Sequence, residues 1–279
     1  MQDWNHVTGY LIRPELQYAV EAALTLNKPL LLRGEPGTGK TALAQAAAQA
    51  LHRPLLVWNL KSDAKAIQGL YQYDGVRRLY DSQLLRTALP GRSRPKDLTD
   101  YLHLGQLGQA FVSEEPVVLL IDGIDKADLD FPGDLLWELE RGQFQIAETG
   151  QVIQTKHPPL VLLTSNGEKE LPPAFLRRCL FYVIPFPDES EMRAILSVHT
   201  ELAQMPPELL DRALEVFYWI RSLTTLQKKP GTSELLDWLQ ALTLTGAEPE
   251  ELPYLGTLLK LEGDWEKVRQ YWKGRQNVH

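Results

Sequence analysis

The chain of 279 residues is long enough for one large domain, or for a large domain with a smaller one beside it. Hydrophobic residues make up 44% and charged residues 23%, ordinary globular values, and the net charge of −7 argues against a general grip on nucleic acid, which shows a basic excess. Cys179 is the one cysteine, which excludes an internal disulfide and a cysteine-rich metal site, and no apolar run approaches the roughly 20 residues of a membrane span.

Met1 to His6 carries neither a charged leader region nor an apolar one, so a soluble cytoplasmic protein is expected. Leu16, Ala19, Val20, Ala23 and Leu24 recur with helical spacing over Pro14–Leu26. Leu30 to Leu32 is a short apolar run of the kind that forms a buried strand, and the Ala-rich stretch from Ala42 to Leu51 predicts a helix. A second strand is expected at Leu55–Trp58, opened by Pro54.

Residues 61–115 give a mixed signal. Ile67–Leu89 and Leu98–Phe111 read as helical or mixed segments, and Pro90–Asp97 between them as a solvated loop with three cations. Pro116–Ile121 is the most apolar run and predicts a central strand ending at Asp122. A helix at Phe131–Arg141, a hairpin at Gln143–Gln154 around Thr149-Gly150, a strand at Leu160–Thr164, a short helix at Pro172–Cys179 and a strand at Phe181–Ile184 follow. Strands alternating with helices argue for an α/β fold with a parallel sheet. After Pro185-Phe186-Pro187 only helical stretches appear: Glu189–Leu202, Pro207–Leu223, Ser233–Leu242 and Gly263–Lys273. A domain boundary near residue 187 is expected, with an α/β core over 1–187 and an all-α lid over 188–279. Trp219, Trp238, Trp265 and Trp272 of that second part are expected to fill a core.

Gly34-Glu35-Pro36-Gly37-Thr38-Gly39-Lys40-Thr41 fits the phosphate-loop pattern G-x-x-x-x-G-K-S/T at every fixed position, and it lies between a predicted strand and a predicted helix. That context makes an anion cradle: inward N–H groups, a helix N-terminus, and glycines that let the backbone close in. Lys40 is placed for the β- and γ-phosphates and the Thr41 hydroxyl for Mg²⁺. Asp122 ends the apolar strand where open α/β sheets hold ligands, and its carboxylate suits the same ion; as a plain helix cap it would do neither. ATP or ADP with Mg²⁺ is the expected ligand.

These segments, together with Leu119-Leu120-Ile121-Asp122-Gly123-Ile124-Asp125-Lys126-Ala127, Thr164-Ser165-Asn166 and Ala174-Phe175-Leu176-Arg177-Arg178-Cys179, fall in the order seen in AAA+ ATPases. The chain resembles the MoxR branch of that superfamily over nearly its whole length. The resemblance implies a five-stranded P-loop core with insertions around helix 2 and before sensor 1, followed by the lid. It gives Asn166 the sensor 1 role of orienting the attacking water, where a turn-forming Asn is the plainer reading. It makes Arg178, in preference to Arg177, an arginine finger aimed at a neighbouring subunit's γ-phosphate, where cations at a helix end are also adequate structurally. It further implies a homohexameric ring and a protein partner, possible candidates being von Willebrand factor A domain proteins.

Two departures stand out. Where the family has a Glu that activates water, this chain has Gly123; Asp125, Glu138 or Glu140 lie nearby, and the spacing selects none of them. Losing a positioned base costs about 10²–10⁴ in rate. At the expected basic sensor 2 position stands Ser233 or Glu234, with Ser233 expected as a helix cap. Two readings follow: a slow or conditional ATPase that remodels a protein partner, or a nucleotide-gated assembly module that does not hydrolyse. No acceptor-site motif supports a small-molecule kinase.

Overall fold

The computed structural model of the chain describes residues 4, 7, 9–87, 97–128, 130–198 and 205–276. The elements run α1 (Pro14–Leu26), β1 (Leu30–Arg33), α2 (Lys40–Leu51), β2 (Leu55–Asn59), α3 (Ala66–Leu70), β3 (Tyr71–Tyr73), α4 (Gly75–Thr87), β4 (Leu102–Leu104), α5 (Gln106–Val112), β5 (Val118–Asp122), α6 (Phe131–Arg141), β6 (Gln143–Gln145), β7 (Val152–Gln154), β8 (Leu160–Ser165), α7 (Pro173–Leu176) and β9 (Leu180–Val183). The helices α8 (Glu189–Ser197), α9 (Pro207–Ser222), α10 (Thr232–Thr245), α11 (Leu255–Leu258) and α12 (Glu262–Gln276) complete it.

The chain forms two compact units. One comprises Met1–Thr8, Ile12–Gly34 and Lys40–Ile184; the other comprises Gly9–Leu11, Glu35–Gly39 and Pro185–His279. In the first, five parallel strands stand in the order β2-β5-β8-β1-β9. Leu30, Leu31 and Leu32 of β1 and Val118 to Ile121 of β5 are buried throughout, as strands covered on both faces must be. The order places β8 between β1 and β5, so two interstrand steps, about 10 Å, separate the ends of β1 and β5. Helix α2 forms from a run that includes six alanines, the best helix former, and their small side chains let its Leu43–Ala50 face lie buried in the first unit.

Over 61–115 the structure is mixed, as expected. A two-stranded antiparallel sheet, β3 with β4, pairs Tyr71 with Leu104 and Tyr73 with Leu102, and around it lie α3, α4 and α5. The loop expected at Pro90–Asp97 lies outside the described residues apart from Asp97. The hairpin at 143–154 is present, with Phe144 opposite Ile153. The short helix at 172–179 is only one turn, Pro173–Leu176, and Arg177 and Arg178 follow it in a turn. Residues 199–202 of the helix expected at Glu189–Leu202 lie outside the described residues.

The second unit has its own apolar core. Met192, Leu214, Phe217, Leu235, Trp238, Leu242, Leu258 and Val268 pack there, with Trp272 at 9% exposure and Trp219 and Trp265 partly buried against it. The buried Trp238 and Trp272 indoles donate to the Pro253 and Glu250 carbonyls, at 2.8 and 2.7 Å, as buried Trp N–H groups must find acceptors. Helix α10 starts at Thr232, not Ser233. Its cap is the Glu234 carboxylate, which accepts the Gly231 N–H at 3.0 Å, and Ser233 lies inside the first turn. Among the described residues no helix is long and apolar enough to cross a membrane.

Candidate nucleotide site

The phosphate loop begins where β1 ends. The Gly34 N–H donates to the Ser165 carbonyl at the end of β8 (3.3 Å), which fixes the entry to the loop against the sheet. Lys40, the first residue of α2, is 7% exposed and its ammonium reaches back to the Gly34 carbonyl at 2.8 Å. Within the loop the Thr38 hydroxyl donates to the Glu35 carbonyl at 2.9 Å. Gly37 has no room for a side chain: a Cβ there would stand 2.9 Å from the Thr232 N and 3.4 Å from the Gly231 Cα. The Thr232 hydroxyl is buried without a hydrogen-bond partner among the described residues, a polar group left ready beside the loop. Pro36 is exposed, and Gly39 lies against the Tyr10 ring.

Glu35 meets a residue that sequence reasoning missed. Arg221 of α9, 8% exposed, donates through Nη2 to the Glu35 carboxylate at 2.7 Å, and through Nη1 to the Pro230 carbonyl. Its guanidinium lies 3.3 Å from the centre of the Phe186 ring. The signal was available: Arg221 follows Val216, Phe217 and Ile220 on the buried stripe of α9, where a cation must have a partner.

On the other strand ends, Asp122 is half-buried and its Oδ1 accepts the Thr164 hydroxyl of β8. The same Thr164 oxygen accepts the Gly123 N–H at 2.9 Å, so a single hydroxyl locks the turn after β5 to the neighbouring strand. Asp125, 1% exposed, is turned inward, and its Oδ2 accepts the backbone N–H groups of Asn166 and Glu168, each at 3.0 Å. Asn166 is thereby held just past β8, half-exposed, on the same rim as Asp122. Gly123 adopts φ +79°, a left-handed backbone that a side chain strains.

Thr41 and Asp122 offer a hydroxyl and a carboxylate, hard oxygen donors that suit Mg²⁺, which keeps several waters and needs few protein ligands. Among the described residues no group of three or more His, Cys, Asp or Glu gathers.

Arg178 lies elsewhere in the same unit. Its Nε stands 3.3 Å from Glu140, both side chains about half exposed. Arg177 and Arg178 line a cavity of about 500 Å³ with Lys28, Glu140 and Arg141. Glu138 is also on α6, and burial pushes its carboxyl above the usual range, with Arg141 opposing the shift. Cys179 is buried, and burial pushes its thiol up to about 12.

The profile of the AAA domain (dynein-related subfamily) matches residues 29–179, more than half of the chain. The chain belongs to that AAA family. The phosphate loop, Asp122, Asn166 and Arg178 all fall inside the matched region of this AAA domain. No curated protein matches the chain. Among solved structures, a Cytophaga hutchinsonii protein described as a "putative ATPase" is similar at 15% identity and a TM-score of 0.48; the alignment covers 78% of this chain. It spans 66% of that protein's length, just under two thirds.

Proposed function

We propose that this AAA domain binds MgATP in the Gly34–Thr41 loop and hydrolyses it slowly, as a MoxR-type ATPase that remodels a protein partner. The observation that carries the reading is the buried Lys40 at the start of α2, with its ammonium turned onto the Gly34 carbonyl where a phosphate oxygen can replace it. The loop N–H groups from Glu35 to Thr41 cradle the β- and γ-phosphates, and Lys40 balances their charge. Bound Mg²⁺ supplies charge neutralisation between the phosphate oxygens. Thr41 and Asp122 hold it, with Thr164 orienting the Asp122 carboxylate. Asn166, fixed by Asp125, orients the attacking water. Arg178 leaves Glu140 and reaches the γ-phosphate of a neighbouring subunit in a homohexamer. In this reading residues 1–187 form the ATPase core and 188–279 a helical lid. The setting is cytoplasmic, and the partner is a protein, with a von Willebrand factor A domain protein as the candidate.

Turnover is slow because no base is positioned. Gly123 has no side chain, and Asp125 is buried with its Oδ2 held by the Asn166 and Glu168 amides. These same observations favour a second reading, in which ATP drives assembly and is not consumed. Calorimetry with MgATP tests the shared core: micromolar binding is expected for the wild type and none for Lys40→Ala. Phosphate release from the bound complex then separates the two. Turnover of the order of 10²–10⁴ below an AAA enzyme with its base supports the first reading, and no release over hours supports the second. Brisk hydrolysis by the wild type refutes the idea of a missing base.

A further inference from the structure

The space beside Asp122 that a side chain at 123 would occupy is filled from another residue. The Lys126 side chain folds back over the Gly123 Cα, so that a Cβ there would lie 2.9 Å from its Cδ, 3.0 Å from its Cε and 3.1 Å from its Nζ. The turn that brings the two together is tight: the Lys126 N–H donates to the Gly123 carbonyl at 2.9 Å, and residues 124–126 form a single 3-10 turn. Lys126 is exposed, and its ammonium has no carboxylate partner among the described residues. A second cation strengthens the bias, since the Lys169 ammonium donates to the Lys126 and Ala127 carbonyls at 3.2 and 3.3 Å. Asp125 does not balance them, because it is turned inward with its Oδ2 on the Asn166 and Glu168 amides.

We infer that Lys126 is a phosphate-binding residue: its ammonium, on the strand-end rim beside Asp122, takes the terminal phosphate of a bound nucleoside triphosphate. This rests on the nucleotide reading above. Ligands of open α/β sheets bind at the carboxyl ends of the strands, and Asp122 and Gly123 mark that end of β5. An acidic side chain at 123 would repel a γ-phosphate, whereas an ammonium there attracts it as a point charge. Attraction felt equally before and during reaction tightens binding without speeding the chemistry. The site is therefore built to retain triphosphate in preference to diphosphate.

Calorimetry of ATP and ADP in the presence of Mg²⁺ tests this on the wild type, Lys126→Gln and Lys126→Arg, with circular dichroism to show that each variant folds. Lys126→Gln is expected to weaken ATP about tenfold while ADP stays within about twofold, the loss of one charge-assisted contact to the terminal phosphate. Lys126→Arg, which keeps the charge, is expected to hold ATP within about threefold of the wild type. An equal loss for ATP and ADP, or no loss for ATP, overturns the assignment while leaving nucleotide binding intact. Failure of the wild type to bind either nucleotide overturns the nucleotide reading itself, and this assignment with it.

Discussion

Giving Gly123 a carboxylate has two costs at the residue scale. The φ of +79° belongs to the left-handed region, where a residue with a Cβ loses about 1–2 kcal/mol. The crowding atoms are the far end of the Lys126 side chain, which moves aside readily, so strain in the backbone is the main term. Gly123→Glu is therefore expected to melt about 3–6 °C below the wild type, measured by calorimetric scanning. Its new carboxylate would pair with Lys126 and be held from water. Phosphate release by Gly123→Glu should change by less than about threefold, and rise about tenfold or more only when Lys126→Gln is added, within the range a positioned base supplies. Cys179 gives a second prediction at this scale. Its thiol, pushed up to about 12 by burial, with Glu140 adding to the shift, stays protonated in the folded protein through neutral and mildly alkaline pH. Alkylation by iodoacetamide should stay slow in the native protein from pH 7 to 9, rising about tenfold per pH unit with no levelling, and become fast after denaturation, with a profile that begins to level by pH 9 as an ordinary thiol's does. The apolar setting before Leu180 and Phe181 made that inert thiol legible in the sequence. The left-handed backbone at Gly123 was not legible, because a glycine after a strand is compatible with many φ values and only the fold selects one.

At the scale of elements, the clearest device is the clamp at the start of α12. Asp264 is 1% exposed and accepts the Gln227 N–H at 3.1 Å, the Lys228 N–H at 3.2 Å and the Lys267 ammonium at 3.2 Å. Burial alone would raise its carboxyl, but the two amides and Lys267 outweigh that and hold it below the usual carboxylate range. A depressed folded-state value means the stabilisation is complete above the unfolded carboxylate range, near pH 4, and is lost as pH falls through the lower folded value. Asp264→Ala is expected to lose about 2 kcal/mol in urea unfolding at pH 7, with a difference from the wild type that narrows below about pH 4. No sequence pattern announced this clamp, since its acceptor and its two amide donors lie 36 and 37 residues apart. Elements with a strong period were legible: α1 and α6 run over their expected spans, and β5 follows from its apolar run. The β3–β4 pair was not, because three residues are too few to show an alternation of faces. The α10 cap was misread for a related reason: Ser233 has the residue type of a cap, but Glu234 reaches the Gly231 amide and starts the helix one residue earlier.

For the whole molecule, the alternation of apolar strands with helices made the α/β class readable, and a parallel sheet brings the strand ends that carry the phosphate loop, Asp122 and Asn166 to one rim. The proposed ring adds a residue from a second copy of the chain. Arg178 carries the argument. In the single chain it is paired with Glu140 at 3.3 Å, both about half exposed, and such a surface pair is worth little, so release of the arginine on assembly costs about 1 kcal/mol at most. In the proposed ring, a finger donated to a neighbour would make each active site the work of two subunits, one supplying Lys40 and the other Arg178. Two variants then fail for different reasons. Lys40→Ala loses nucleotide binding, while Arg178→Ala binds normally and loses about 10³-fold or more in phosphate release. Mixed in equal amounts and allowed to exchange, they should recover hydrolysis, because an Arg178→Ala subunit beside a Lys40→Ala subunit forms an interface with both groups present. Random placement in a ring makes about a quarter of the interfaces complete, so phosphate release should reach about a quarter of the wild-type rate per subunit. A finger that acted on its own subunit's nucleotide would leave the mixture as silent as its parts, because no chain in it would carry both Lys40 and Arg178.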